Sequence, residues 1–85
     1  MTVTLALFGA FRDLHSAPTL TLEVDGDSIA DLRAQLCAHL EATGKADKRG
    51  LVGVSAFASD TALLRDHDRI PADGQLAILP PVSGG

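Results

Sequence analysis

The final six residues, Pro80-Pro81-Val82-Ser83-Gly84-Gly85, contain the one group whose setting points to chemistry: the α-carboxylate of Gly85. Its ordinary pKa is ~3.3–3.7, so at neutral pH it is an anion and a poor electrophile. It becomes reactive only when another enzyme activates it, for instance as an acyl-adenylate. A Gly84-Gly85 end suits that use, because a narrow active site can grip a backbone that carries no side chains. Pro80-Pro81 would act as a stiff spacer, since a proline pair favours an extended backbone and cannot donate to a sheet. At the rise of an extended chain the tail could reach roughly 20 Å. The plainer reading is a frayed terminus. The order core strand, Pro-Pro, Gly-Gly weighs against it.

The other chemistry-bearing residues are scattered. Cys37 stands alone beside Leu36, which suits a small core residue better than a sulfur-relay thiol. His15, His39 and His67 show no metal-ligand spacing. Asp66-His67-Asp68 reads as a solvated turn, and no phosphate-cradling glycine loop or nucleophile–base pair is present. Catalysis by this chain alone is not expected.

The elements that must carry the tail are readable from periodicity. Thr2–Phe8 alternates Val3, Leu5 and Leu7 with Thr and Ala, a half-buried strand with Phe8 on the opposite face. Gly9–Pro18 is a turn region, and Thr19–Val24 alternates again as a hairpin partner. Ser28 opens a helix over Ile29–Ala42, with Asp31 in the capping-box position. Ile29, Leu32, Leu36 and Leu40 form its apolar stripe, and Gly44 ends it. Leu51–Phe57 is expected to be a third strand and Leu76–Leu79 the last. Between them the Leu63-Leu64 pair stands among turn signals. A run apolar on both faces belongs in a sheet centre, so the last strand is placed beside the first and parallel to it.

Eighty-five residues make one domain. The net charge of −4 argues against a nucleic-acid binder and against direct capture of an anionic metabolite. One cysteine allows no internal disulfide. No stretch is long and apolar enough to span a bilayer, and the start is unlike a signal peptide. A cytoplasmic protein without membrane partners is the expectation.

Three stretches resemble the MoaD/ThiS family of sulfur carriers, which includes the small subunit of molybdopterin synthase. Leu79-Pro80-Pro81-Val82-Ser83-Gly84-Gly85 resembles the family's ending. Leu7-Phe8-Gly9-Ala10-Phe11-Arg12-Asp13-Leu14 resembles its turn after the first strand, and Ser28-Ile29-Ala30-Asp31-Leu32 its helix start. Val54-Ser55-Ala56-Phe57-Ala58 departs from the family's third-strand hairpin, and the segment that follows looks several residues longer.

The resemblance implies an α+β, ubiquitin-like β-grasp fold. A mixed sheet of four to five strands would carry one main helix on one face, over residues 1–79. A flexible extended tail would follow over 80–85. It implies that Gly85 carries sulfur, with Gly84 as the steric gap, in molybdenum cofactor biosynthesis. The terminus would be adenylated, converted to a thiocarboxylate and emptied onto precursor Z. The implied partners are a ubiquitin-activating-enzyme-like adenylyltransferase and the large subunit of molybdopterin synthase, in a heterotetramer. This chain would bind no cofactor, the ATP being used by the activating enzyme. Phe8, Leu79 and Phe57 would form a partner patch, with Arg12 as an ion-pair donor and Pro80, Pro81, Val82 and Ser83 threading the partner. The plainer reading makes the phenylalanines core and Arg12 a surface charge. A carrier for another pathway such as thiamine, a ubiquitin-like protein tag, and a binding module with an inert tail remain open beside it.

Overall fold

A computed structural model describes residues 1–81. Five strands form one mixed sheet: β1 (Thr2–Leu7), β2 (Thr19–Glu23), β3 (Ala56–Ala58), β4 (Leu63–Leu64) and β5 (Gln75–Leu79). Their order across the sheet is β2-β1-β5-β3-β4. β1 and β5 lie parallel at the centre, with Ala6 opposite Ala77 and Leu7 opposite Ile78, as the apolar runs predict. β2 and β3 flank them antiparallel.

The alternation in β1 and β5 sorts side chains by face. Val3, Leu5, Leu7, Leu76 and Ile78 are buried on one side. The helix α1 (Ile29–Ala42) covers that side with Ile29, Leu32, Leu36 and Leu40, none of which is exposed, and all join one core. Burial of each such side chain contributes about 1.5–3 kcal/mol, so this layer supplies much of the stability.

Both ends of α1 are closed. At the N-terminus the Ser28 hydroxyl accepts from Asp31 N (3.1 Å) and Ser28 N donates to Asp31 Oδ2 (3.3 Å), the expected capping box. Ile29 N and Ala30 N donate to the carbonyls of Asp68 and Asp66. The long segment before β5 therefore has a structural use: it runs back to satisfy the first turn of the helix, which would otherwise hold orphan donors. Ile70, buried, fastens it there. At the C-terminus Gly44, at φ +78°, allows its own N–H to reach Glu41 O and Lys45 N to reach Leu40 O.

The expected third strand is different. Arg49–Val54 is a short helix, α2, following a 3-10 turn at Ala46–Lys48, and only Ala56–Ala58 is strand. The carbonyls that a strand would offer sideways are occupied. Arg33 Nη1 donates to Val52 O (2.6 Å) and Ser55 O (2.9 Å), and Ser55 Oγ donates to Leu51 O (2.6 Å). Val52 is buried and Leu51 packs on the core, which the helical form achieves against α1. The region Gly9–Pro18 also gains order, since Gly9–Leu14 is a 3-10 helix pinned by buried Phe11 and Leu14.

Candidate functional site

The tail begins where β5 ends, at Leu79. β5 is the central strand, and it passes directly into Pro80, half-buried, and Pro81, exposed. Val82, Ser83, Gly84 and Gly85, on which the carrier reading turns, lie outside the described residues.

Phe8 directly follows β1 and is 46% exposed. Leu79 ends β5 and is half-buried. The parallel register ends by pairing Leu7 with Ile78, both buried toward the helix, so the residues that follow each, Phe8 and Leu79, fall by alternation on the helix-free face.

Phe57 is not part of it. Its side chain is fully buried on the helix side of β3, opposite Leu64, with the Arg33 guanidinium 4.9 Å from its ring centroid. A strand places neighbours on opposite faces, and the true strand Ala56–Ala58 turns its alanines outward and Phe57 inward. The position missed is Leu63. It pairs with Ala58, shares the helix-free face, and is 68% exposed. The signal was the Leu63-Leu64 pair: in a strand of a one-sided core, one of two adjacent leucines must face outward.

Between Phe8 and the loops the same face holds an open cleft of about 310 Å³. Its floor is Ala6, Ala58 and Ala77, and Asp60 and Asp73 stand on its lining. Small floor residues beside exposed Phe8 make a surface that can receive apolar side chains of another protein, and Leu63 pairs with the floor residue Ala58 on the same face. Arg12 projects from the 3-10 helix between buried Phe11 and Leu14 and is exposed. It has no ion-pair partner among the described residues, so its charge is available at the edge of this end of the sheet.

The remaining candidates stay apart. Cys37 is half-buried against the core. Among the described residues no group of three His, Cys, Asp or Glu side chains is placed to hold a metal ion. Among the same residues no helix is long and apolar enough to cross a membrane.

Comparison with known proteins adds three findings. The family model of the ThiS family matches residues 5–85. The chain is 36% identical over 87 aligned positions to the molybdopterin synthase sulfur carrier subunit of Synechococcus elongatus, covering 99% of this chain and 97% of that one. The fold superposes on the crystal structure of SAMP1 from Haloferax volcanii with a TM-score of 0.67 and 25% identity, over all of both chains.

Proposed function

The chain belongs to the ThiS family, and on that premise we propose that it is the sulfur-carrying small subunit of molybdopterin synthase. The observation that carries this reading is the full-length likeness to a protein of that name, in a chain whose central strand runs into Pro-Pro and ends in Gly-Gly. The Gly85 carboxylate attacks the α-phosphorus of ATP on an adenylyltransferase, releasing pyrophosphate and forming the acyl-adenylate. Sulfide then attacks the acyl carbon and displaces AMP, leaving a terminal thiocarboxylate; a persulfide donor in its place would first give an acyl disulfide, released by a thiol that is itself oxidised to a disulfide. The thiocarboxylate sulfur is largely anionic at neutral pH and more nucleophilic than the oxygen it replaces. Within the large subunit the sulfur attacks a carbon of precursor Z, cyclic pyranopterin monophosphate, displacing an oxygen group there and linking the acceptor to Gly85 as a thioester; water then cleaves the acyl–sulfur bond, leaving the thiolate on the acceptor and the carboxylate on Gly85.

The domain's part is recognition. Phe8, Leu79 and Leu63 present apolar area to the partner, and Arg12 offers a charge at its edge. No ligand for ATP is required of this chain, consistent with its acidic balance.

Intact-mass measurement tests the reading. Incubation with the adenylyltransferase, ATP and a sulfur donor is expected to exchange one oxygen for sulfur at Gly85, and deletion of Gly85 to abolish the exchange with the fold intact. Restoration of molybdoenzyme activity in a strain lacking its own small subunit is the companion test. Rescue of a thiamine-carrier deletion instead would redirect the proposal to that pathway. Isopeptide-linked products would redirect it to a protein tag.

A further inference from the structure

The floor of the open cleft is a row of alanines set by the register of the sheet. Ala6 lies opposite Ala77, and Ala77 lies opposite Ala58. Three adjacent strands thus place methyl groups side by side, and two strand spacings make an apolar floor about 10 Å across. The half-exposed ring of Phe8, two residues beyond Ala6, stands on the lining. So do Asp60 and Asp73, both exposed, while no lysine, arginine or histidine does. Neither carboxylate has an ion-pair partner among the described residues. Asp73 Oδ1 accepts only a backbone bond, from Gln75 N at 3.0 Å. The cleft therefore joins an apolar floor and an aromatic wall to two negative charges with nothing positive beside them.

Any protein that covers this cleft also covers Asp60 and Asp73. A purely apolar occupant would suit the alanines but take two unpaired carboxylates out of water, which opposes binding. The occupant must bring positive charge. An arginine side chain meets every surface of the cleft: its aliphatic stem suits the alanines, its guanidinium plane stacks on an aromatic ring, and its five donors are enough for two carboxylates. We propose that the cleft is a socket for one arginine of the adenylyltransferase, with the stem on Ala6, Ala77 and Ala58 and the guanidinium among Phe8, Asp60 and Asp73. The identity of this partner rests on the carrier reading above, because Phe8 is shared between the cleft and the patch assigned to that enzyme. Asp60 and Asp73 lie between β3 and β5, outside the three stretches that resemble the family. The socket thus adds selectivity of partner to a tail of the family's general form.

Titration calorimetry of the full chain against the adenylyltransferase tests this, with melting curves to show that each variant is folded. Asp60→Asn and Asp73→Asn are expected to weaken binding about fivefold each, and the double variant about twentyfold. The difference from wild type should shrink as salt rises from roughly 0.05 to 0.5 M, because ions screen the attraction. Asp47→Asn removes the same charge from the 3-10 turn Ala46–Lys48 and is expected to leave affinity unchanged. Phe8→Leu keeps apolar area but loses the ring face, and should weaken binding about threefold. A second arm needs no partner. In NMR, N-acetyl-arginine methylamide is expected to shift the amides of Ala58 and Ala77 in the wild type and not in Asp60→Asn/Asp73→Asn, and the norleucine analogue to shift neither. Full affinity in the double variant, an equal loss in Asp47→Asn, a loss confined to the large subunit of molybdopterin synthase, or no response to the arginine probe overturns the proposal. A wild type that the adenylyltransferase neither binds nor adenylates, while the arginine probe responds as expected, overturns the carrier reading and leaves the socket standing.

Discussion

The Arg33 guanidinium lies 4.9 Å from the centroid of the Phe57 ring, and the same group binds two backbone carbonyls and a carboxylate. Nη1 reaches Val52 and Ser55, while Nε and Nη2 reach Asp66 Oδ1 at 3.1 and 2.9 Å. One side chain of α1 thus ties together the end of α2, the start of β3 and the segment that caps its own helix. Arg33→Ala is expected to cost about 2–3 kcal/mol, because the carbonyls of Val52 and Ser55 lose a charged donor in a partly buried site. Arg33→Lys should recover only part, having no planar fork to serve three partners. Urea unfolding of the three proteins checks this, and equal midpoints would remove the clamp.

Leu63 and Phe57 sit on one hairpin and are expected to behave oppositely. Leu63→Asp changes an exposed side chain. It should leave thermal stability nearly unchanged while weakening association with the adenylyltransferase about tenfold. Phe57→Ala empties a fully buried site. It should cost about 3–5 kcal/mol, enough to unfold much of a domain this small. Titration calorimetry beside melting curves separates the two; full affinity in Leu63→Asp would take that residue out of the patch.

Leu79→Asp should weaken the same association, since Leu79 falls on the helix-free face with Phe8 and ends the strand that leads into the tail. An unchanged affinity would show that the enzyme grips the tail alone.

Asp31 has a predictable acid response. Hydrogen bonds from Ser28, from the hydroxyl first and the backbone N–H second, hold its carboxyl below the usual carboxylate range. The fold therefore favours the ionised form. Its contribution is fully present above the unfolded value of ~3.9 and is lost as pH falls through the lower folded value. The stability difference between wild type and Asp31→Asn should be constant above about pH 5 and should shrink below about pH 4. Ser28→Ala should raise the Asp31 pKa, read from its carboxyl carbon shift, and cost about 1 kcal/mol of helix capping. A carboxyl that titrates identically with and without the Ser28 hydroxyl would contradict this.

Leu36 tests the core between sheet and helix. It is fully buried, and Leu36→Ala should cost about 2–5 kcal/mol in denaturant unfolding. A smaller loss would mean that the helix–sheet layer collapses readily around the gap.

Local pattern determined what depends on one element at a time. The period-two alternation of Val3, Leu5 and Leu7 marked β1, and the stripe of Ile29, Leu32, Leu36 and Leu40 with its Ser28 cap marked α1. Even the parallel pairing of β1 with β5 followed, because a strand apolar on both faces needs a neighbour on each side. Tertiary contact decided the rest. Leu51–Val54 is as apolar as a strand, yet Arg33, far off in sequence, takes the carbonyls of Val52 and of Ser55 just beyond it, the Ser55 hydroxyl takes that of Leu51, and the stretch is helix. That shift shortened β3 to Ala56–Ala58, turned Phe57 inward and left the outward place on the hairpin to Leu63. The closeness of Gly9 and Pro80, near enough that a side chain on Gly9 would meet the proline ring, likewise exists only once β1 and β5 lie side by side.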